Sequence, residues 1–121
     1  MNMTTNIRKI GGLTIVDISG RIELGEESAA LRELVSALLS KGHRKILLNL
    51  GDVTYIDSSG LGHLVSAFTS VRKQQGDLKL LNLTNKVHDL LQITRLYTVF
   101  DVTDDENVAV KSFAQSAAAA G

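Results

Sequence analysis

Apolar positions follow two rhythms along this chain. Leu13-Thr14-Ile15-Val16-Asp17-Ile18 is rich in β-branched residues and partly alternates, which predicts a strand. Ile7 to Ile10 is its expected hairpin partner, Gly11-Gly12 a two-residue turn, and Gly20 the strand's close. From Glu26 to Leu39 the period lengthens: Leu31, Leu34, Val35, Leu38 and Leu39 share one face of an amphipathic helix. Lys45-Ile46-Leu47-Leu48-Asn49-Leu50, between Gly42 and Gly51, is apolar at nearly consecutive positions and predicts a strand buried on both faces. Leu61, Leu64, Val65 and Phe68 mark a second helical face that ends near Gly76. Leu78 to Leu83 is a second buried strand, followed by a short helix marked by Val87, Leu90 and Leu91 after Thr84. Tyr97 to Val102 predicts a short strand. Thr103-Asp104-Asp105-Glu106 has the pattern of a capping box, with Thr at the N-cap and Glu three residues on. The helix behind it carries Val110, Phe113, Ala114 and Ala117 on one face.

The resulting order, β-β-α-β-α-β-α-β-α, implies a mainly parallel sheet covered by helices. In such sheets the working site tends to lie where strands end and the next helices begin.

Composition narrows the class. The 121 residues suit a single domain spanning 1–121, with 1–6 and 117–121 expected to fray. A hydrophobic share of 44% is enough for a core, and the absence of cysteine excludes disulfides, thiolate metal sites and cysteine nucleophiles. Lys plus Arg equals Asp plus Glu at 13 each, so nothing points to a general nucleic-acid or membrane-surface binder. No apolar run is long enough to cross a bilayer, and Met1 to Asn6 does not read as a secretory signal. The expectation is a cytoplasmic protein without cofactor or metal, and a monomer.

One segment carries chemical information: Asn49-Leu50-Gly51-Asp52-Val53-Thr54-Tyr55-Ile56-Asp57-Ser58-Ser59-Gly60-Leu61-Gly62. A buried strand ends, a loop is expected, and a helix begins at Asp57 or Ser58. Asp and Ser are both good N-caps. Yet two hydroxyls and a carboxylate exceed what one cap needs. Gly60 and Gly62 each cost up to about 1 kcal/mol relative to Ala in a helix. Tight packing, a partner surface or a bound anion would justify them. A helix start also favours a phosphate, through its amides and the positive end of its dipole.

Asp57-Ser58-Ser59-Gly60-Leu61-Gly62 resembles the signature of the bacterial anti-sigma factor antagonists, the single-domain members of the STAS family. Ile46 to Leu50, Asp52 to Ile56, Ile18-Ser19-Gly20-Arg21-Ile22 and Leu78 to Leu83 fit as well, so the likeness spans almost the whole chain. It implies an α/β fold: a mixed, mainly parallel four- to five-stranded sheet with helices packed mainly on one side. It implies that Ser58 is phosphorylated by a partner that is both serine kinase and anti-sigma factor. The unphosphorylated antagonist binds that partner and frees the sigma factor, and a serine phosphatase resets it. Asp57, Ser59, Gly60, Leu61 and Gly62 would form the partner-binding surface, joined by Glu23, where many members carry aspartate. Such a protein is a switch in transcriptional regulation and not an enzyme.

Competing chemistry fits less well. A hydrolase using Ser58 or Ser59 has His63 one turn beyond Ser59, but the G-x-S-x-G elbow is absent. Gly60-Leu61-Gly62 lacks the lysine and spacing of a P-loop. The alternative kept open is a STAS subunit of a lipid-transport or other assembly that involves no sigma factor.

Overall fold

A computed structural model describes residues 3–22 and 26–120, the side chains of 26–28 and 114–120 excepted. The elements run β1 (Met3–Ile10), β2 (Leu13–Ile22), α1 (Glu26–Ser40), β3 (Lys45–Ile56), α2 (Ser58–Lys73), β4 (Asp77–Leu81), α3 (Asn85–Thr94), β5 (Val102–Thr103) and α4 (Glu106–Ala120). They build one five-stranded sheet in the order β1-β2-β3-β4-β5. The β1–β2 hairpin is antiparallel, from Ile10 opposite Leu13 to Met3 opposite Gly20. The remaining pairs are parallel.

That order dictates where the helices lie. Each crossover adds the next strand at the same edge, so crossovers of one hand lay α1, α2 and α3 on one face. The core there joins Leu31 and Val35 of α1, Leu61, Leu64 and Val71 of α2, and Val87 and Leu91 of α3 to the strands. α4 follows the last strand and returns across the other face, where Ala109 and Phe113 pack on Leu13, Ile15, Leu47 and Leu81. The unbroken apolar run of β3 follows from this. Ile46, Leu48 and Leu50 face the three-helix core, and Leu47 faces α4. The sheet is therefore mixed and mainly parallel, with helices mainly on one side, as the resemblance implied.

Several local expectations change. Residues 3–6 belong to β1, where they pair with Gly20 to Asp17 of β2. Gly20, at φ 96°, bends β2 without ending it, and the strand runs on to Ile22 through two register shifts. Gly51 to Tyr55 is not a loop. Ser19 to Ile22 continue alongside as partners, Thr54 Oγ1 donates to the Gly20 carbonyl at 3.2 Å, and Val53 and Ile56 are buried. The Tyr97–Val102 strand shrinks to Val102–Thr103, since Phe100 turns into the core against Phe68. β4 stops at Leu81, where Asn82 takes a left-handed conformation with φ 59°.

The start of α4 also differs. Asp105, not Thr103, is its N-cap: Asp105 Oδ1 accepts the Val108 amide at 3.2 Å, and the Asp105 carbonyl accepts that of Ala109 at 3.0 Å. Glu106 is thereby released from capping. Its carboxylate receives Arg8 at 2.7 and 3.2 Å, while the same guanidinium donates to Asp17 at 2.6 and 2.8 Å. Asn49 donates to Asp17 from the next strand at 2.8 Å. The β-hairpin is thus tied to β3 and α4 by side chains as well as backbone.

Candidate functional site

The sheet delivers the signature residues to the point where β3 hands over to α2. Asp57 leaves the strand with φ −106° and ψ −179°, and its amide donates to the Ile22 carbonyl at the end of β2 (3.3 Å). Its Oδ1 accepts the Gly60 amide at 2.7 Å and its carbonyl accepts that of Leu61 at 2.9 Å. Asp57 is therefore the N-cap, and its side chain satisfies one of the amides that a helix start leaves without an acceptor.

Ser58 is then the first helical residue, and its side chain is exposed. Ser59 is half-buried and Gly62 exposed. Gly60 and Leu61 lie inside the site. Leu61 is 2% exposed and belongs to the three-helix core. A Cβ at Gly60 would stand 2.1 Å from the Ile22 carbonyl oxygen, so only glycine lets the helix start sit on β2. A Cβ at Gly62 would meet nothing within 4 Å. The two glycines thus divide: close packing explains Gly60, and nothing in the described structure requires Gly62. Glu23 lies outside the described residues.

A second group gathers at these strand ends. Arg21 stands opposite Tyr55 in the β2–β3 register, and its guanidinium carbon lies 4.2 Å from the centre of the Tyr55 ring. Lys86, in the first turn of α3, brings its Nζ to 5.8 Å from the same ring. The sequence held no signal for this group, because register and helix placement bring together residues that are far apart along the chain.

The chemistry available here is limited. Among the described residues no group of three or more His, Cys, Asp or Glu side chains could hold a metal ion. His63 is half-buried on α2, and no hydrogen bond joins it to Ser58 or Ser59 among the described contacts. The cavity lined by Lys79, Asp101 and Ser112 and the one lined by Leu83, His88 and Tyr97 lie around β5, not around residues 57–62. What the site presents is a hydroxyl on a firmly seated helix start.

Comparison with known proteins places this arrangement. The STAS domain family model matches residues 4–109. The anti-sigma-B factor antagonist of Bacillus subtilis (strain 168) is 35% identical over 103 residues, covering 85% of this chain and 93% of that protein. A crystal structure of an anti-sigma factor antagonist from Mycobacterium paratuberculosis superposes with a TM-score of 0.77 at 20% identity, covering 92% of this chain and 93% of that one. The Bacillus cell fate determinant SpoIIAA in its phosphorylated form superposes with a TM-score of 0.70 at 17% identity, covering 90% of this chain and 98% of that one. The chain belongs to the STAS domain family, within its anti-sigma factor antagonists.

Proposed function

We propose that this protein is a partner-switching regulator whose switch is the Ser58 hydroxyl. Unphosphorylated, it binds an anti-sigma factor; phosphorylated, it releases it. The observation that carries the reading is the placement of Ser58. It is exposed at the first position of a helix whose start is immobilised by Asp57 on Gly60 and by Gly60 on Ile22. A kinase meets an accessible hydroxyl on a fixed scaffold. The phosphate formed would lie against helix amides that favour an anion. The fold therefore tolerates the modification while the surface changes sharply, by about two negative charges beside Asp57. A closely packed or acidic partner face is then repelled.

The partner-facing surface comprises Asp57, Ser58, Ser59 and Gly62, with Gly60 and Leu61 supporting it from beneath and Glu23 on the approach. The kinase is the anti-sigma factor itself, and a separate serine phosphatase restores the binding form. The protein acts in the cytoplasm as a binding partner with no catalysis of its own. No described helix is long and apolar enough to cross a membrane.

The test is incubation of the full chain with ATP and the partner kinase, followed by intact-mass measurement. One phosphate per chain is expected on the wild type and none on Ser58→Ala, which keeps its partner bound. Ser58→Glu is expected to bind at least about tenfold more weakly, as a like-charge mismatch at an interface costs several kcal/mol. A phosphate still found on Ser58→Ala would remove the assignment.

A further inference from the structure

The outer edge of β1 is long, regular and open. Its eight residues pair with β2 without a register shift, and the sheet of the described residues ends there. Sheet edges are ordinarily blunted by proline, a bulge, shortness or charge. This strand has no proline and no bulge, and Arg8 turns its charge to Asp17 and Glu106. Its apolar side chains are poorly used as well: Ile7 and Ile10 are 42% and 44% exposed. Ile7 stands opposite Val16 and lies on the three-helix face, whereas Ile10 stands opposite Leu13 and lies on the α4 face. A partner docked on one face would cover one of them. A strand added at the edge borders both. The backbone there is oriented for such a strand. In the Gly11-Gly12 turn only Gly11 has a positive φ, 59°, the type II′ pattern in which the flanking Ile10 and Leu13 exchange hydrogen bonds. Bonded and non-bonded pairs then alternate, so Thr5, Ile7 and Lys9 turn their amides and carbonyls away from β2, toward the open edge.

We propose that two copies of this chain pair through β1, antiparallel about a two-fold axis at Ile7, and join their two sheets into one. The edge suits a second copy of itself. Pairing about Ile7 sets Thr5 opposite Lys9 of the second copy, Asn6 opposite Arg8 and Thr4 opposite Ile10, so no like charges meet across the seam. The two Ile7 side chains cover each other, and Ile10 gains Thr4 as a neighbour. The amides of Thr5, Ile7 and Lys9 in both copies supply about six backbone hydrogen bonds. Lys plus Arg equals Asp plus Glu at 13 each, so no net charge opposes the meeting of two copies. Strand directions reverse across the axis. The ends of β3 therefore point opposite ways, and both Ser58 hydroxyls stay open. The dimer presents two switches and does not depend on their state. This departs from the monomer expected from the sequence.

Sedimentation velocity of the full chain from about 1 μM to about 1 mM measures the pairing. The mass of the wild type is expected to double across this range. Ile7→Lys, which sets two like charges face to face at the axis, is expected to keep the mass of one chain. Thr5→Glu meets Lys9 twice per dimer in this register and is expected to tighten association about fivefold. Amide hydrogen exchange followed by NMR locates the contact. Thr5, Ile7 and Lys9 should gain at least about tenfold protection at high concentration, while Asn6 and Arg8 change little. A wild type that keeps the mass of one chain throughout, or a dimer that leaves these three amides unprotected, would overturn the proposal. So would association that Ile7→Lys leaves intact or that Thr5→Glu fails to tighten. A wild-type urea midpoint for Ile7→Lys at low concentration separates lost pairing from lost folding; should that variant unfold, the exchange pattern and Thr5→Glu decide.

Discussion

Two glycines separated by one residue should respond to the same substitution with opposite signs. In Gly60→Ala the new Cβ meets the Ile22 carbonyl oxygen at 2.1 Å, its carbonyl carbon at 2.8 Å and its Cγ2 at 3.0 Å. A comfortable carbon–oxygen approach is about 3.3 Å, so the start of α2 must withdraw by about 1 Å. The obstacle is backbone in a paired strand and cannot rotate aside. Withdrawal stretches the Asp57 amide bond to Ile22, already 3.3 Å, and disturbs the 2.7 Å cap from Gly60 to Asp57. Overpacking costs about 1–3 kcal/mol and a damaged cap about 1 kcal/mol. The intrinsic helical preference of Ala over Gly offsets about 1 kcal/mol of this. The net expectation is a loss of about 1–3 kcal/mol. Gly62→Ala meets open space at an exposed helical position, so it keeps only the propensity gain of up to about 1 kcal/mol. Urea unfolding followed by far-UV circular dichroism measures both, with an unchanged slope showing that the difference is one of stability. Equal midpoints for the two variants would refute the account of Gly60 as a packing requirement.

Other expectations concern the opposite face of the sheet and the start of α4. The Arg8 guanidinium, donating to Asp17 at two atoms, holds the Asp17 carboxyl below the usual carboxylate range; the Asn49 amide adds to this, and partial burial opposes it. A depressed folded value means stability that is present above the ordinary Asp value and lost as pH falls through the folded one. Asp17→Asn should therefore cost about 1 kcal/mol at neutral pH, modest because Arg8 is 37% exposed, and should flatten the stability profile below about pH 4. Thermal melts across the acid range check this, and an unchanged acid profile would contradict it. Asp105→Ala should cost about 1 kcal/mol by removing the N-cap of α4, whereas Thr103→Val should cost less. Chemical denaturation of the two variants distinguishes the cap from a capping box at Thr103, which would reverse the order.

Much of this molecule is written in its apolar periodicity. The runs at Leu31 to Leu39 and Ile46 to Leu50 announce a helix and a doubly buried strand because each is set by one kind of neighbour, the core. Asp57 and Ser58 are legible as a helix start because capping is a local event. The second half of β3 was hidden, since Gly51-Asp52 reads as a turn and only the continuing β2 keeps it extended. The capping of α4 is not decided by sequence because adjacent acids offer alternative caps to Thr103, and the contact of Arg8 with Glu106 joins residues 98 positions apart. Arg21, Tyr55 and Lys86 were invisible as a group for the same reason. No spacing rule relates residues that meet only through sheet register and a helix docked beside it.

The sheet's strand order repeats the order of the chain. Every strand finds its partner in the strand made just before it, across a hairpin or a single helix, and no pairing spans half the chain. Loop-closure entropy stays small at each step, and the sheet can grow from the hairpin outward as one helix and one strand are added at a time. The site around Ser58 is complete once β2, β3 and α2 are in place, so its geometry is established early in assembly and does not wait for the last strand.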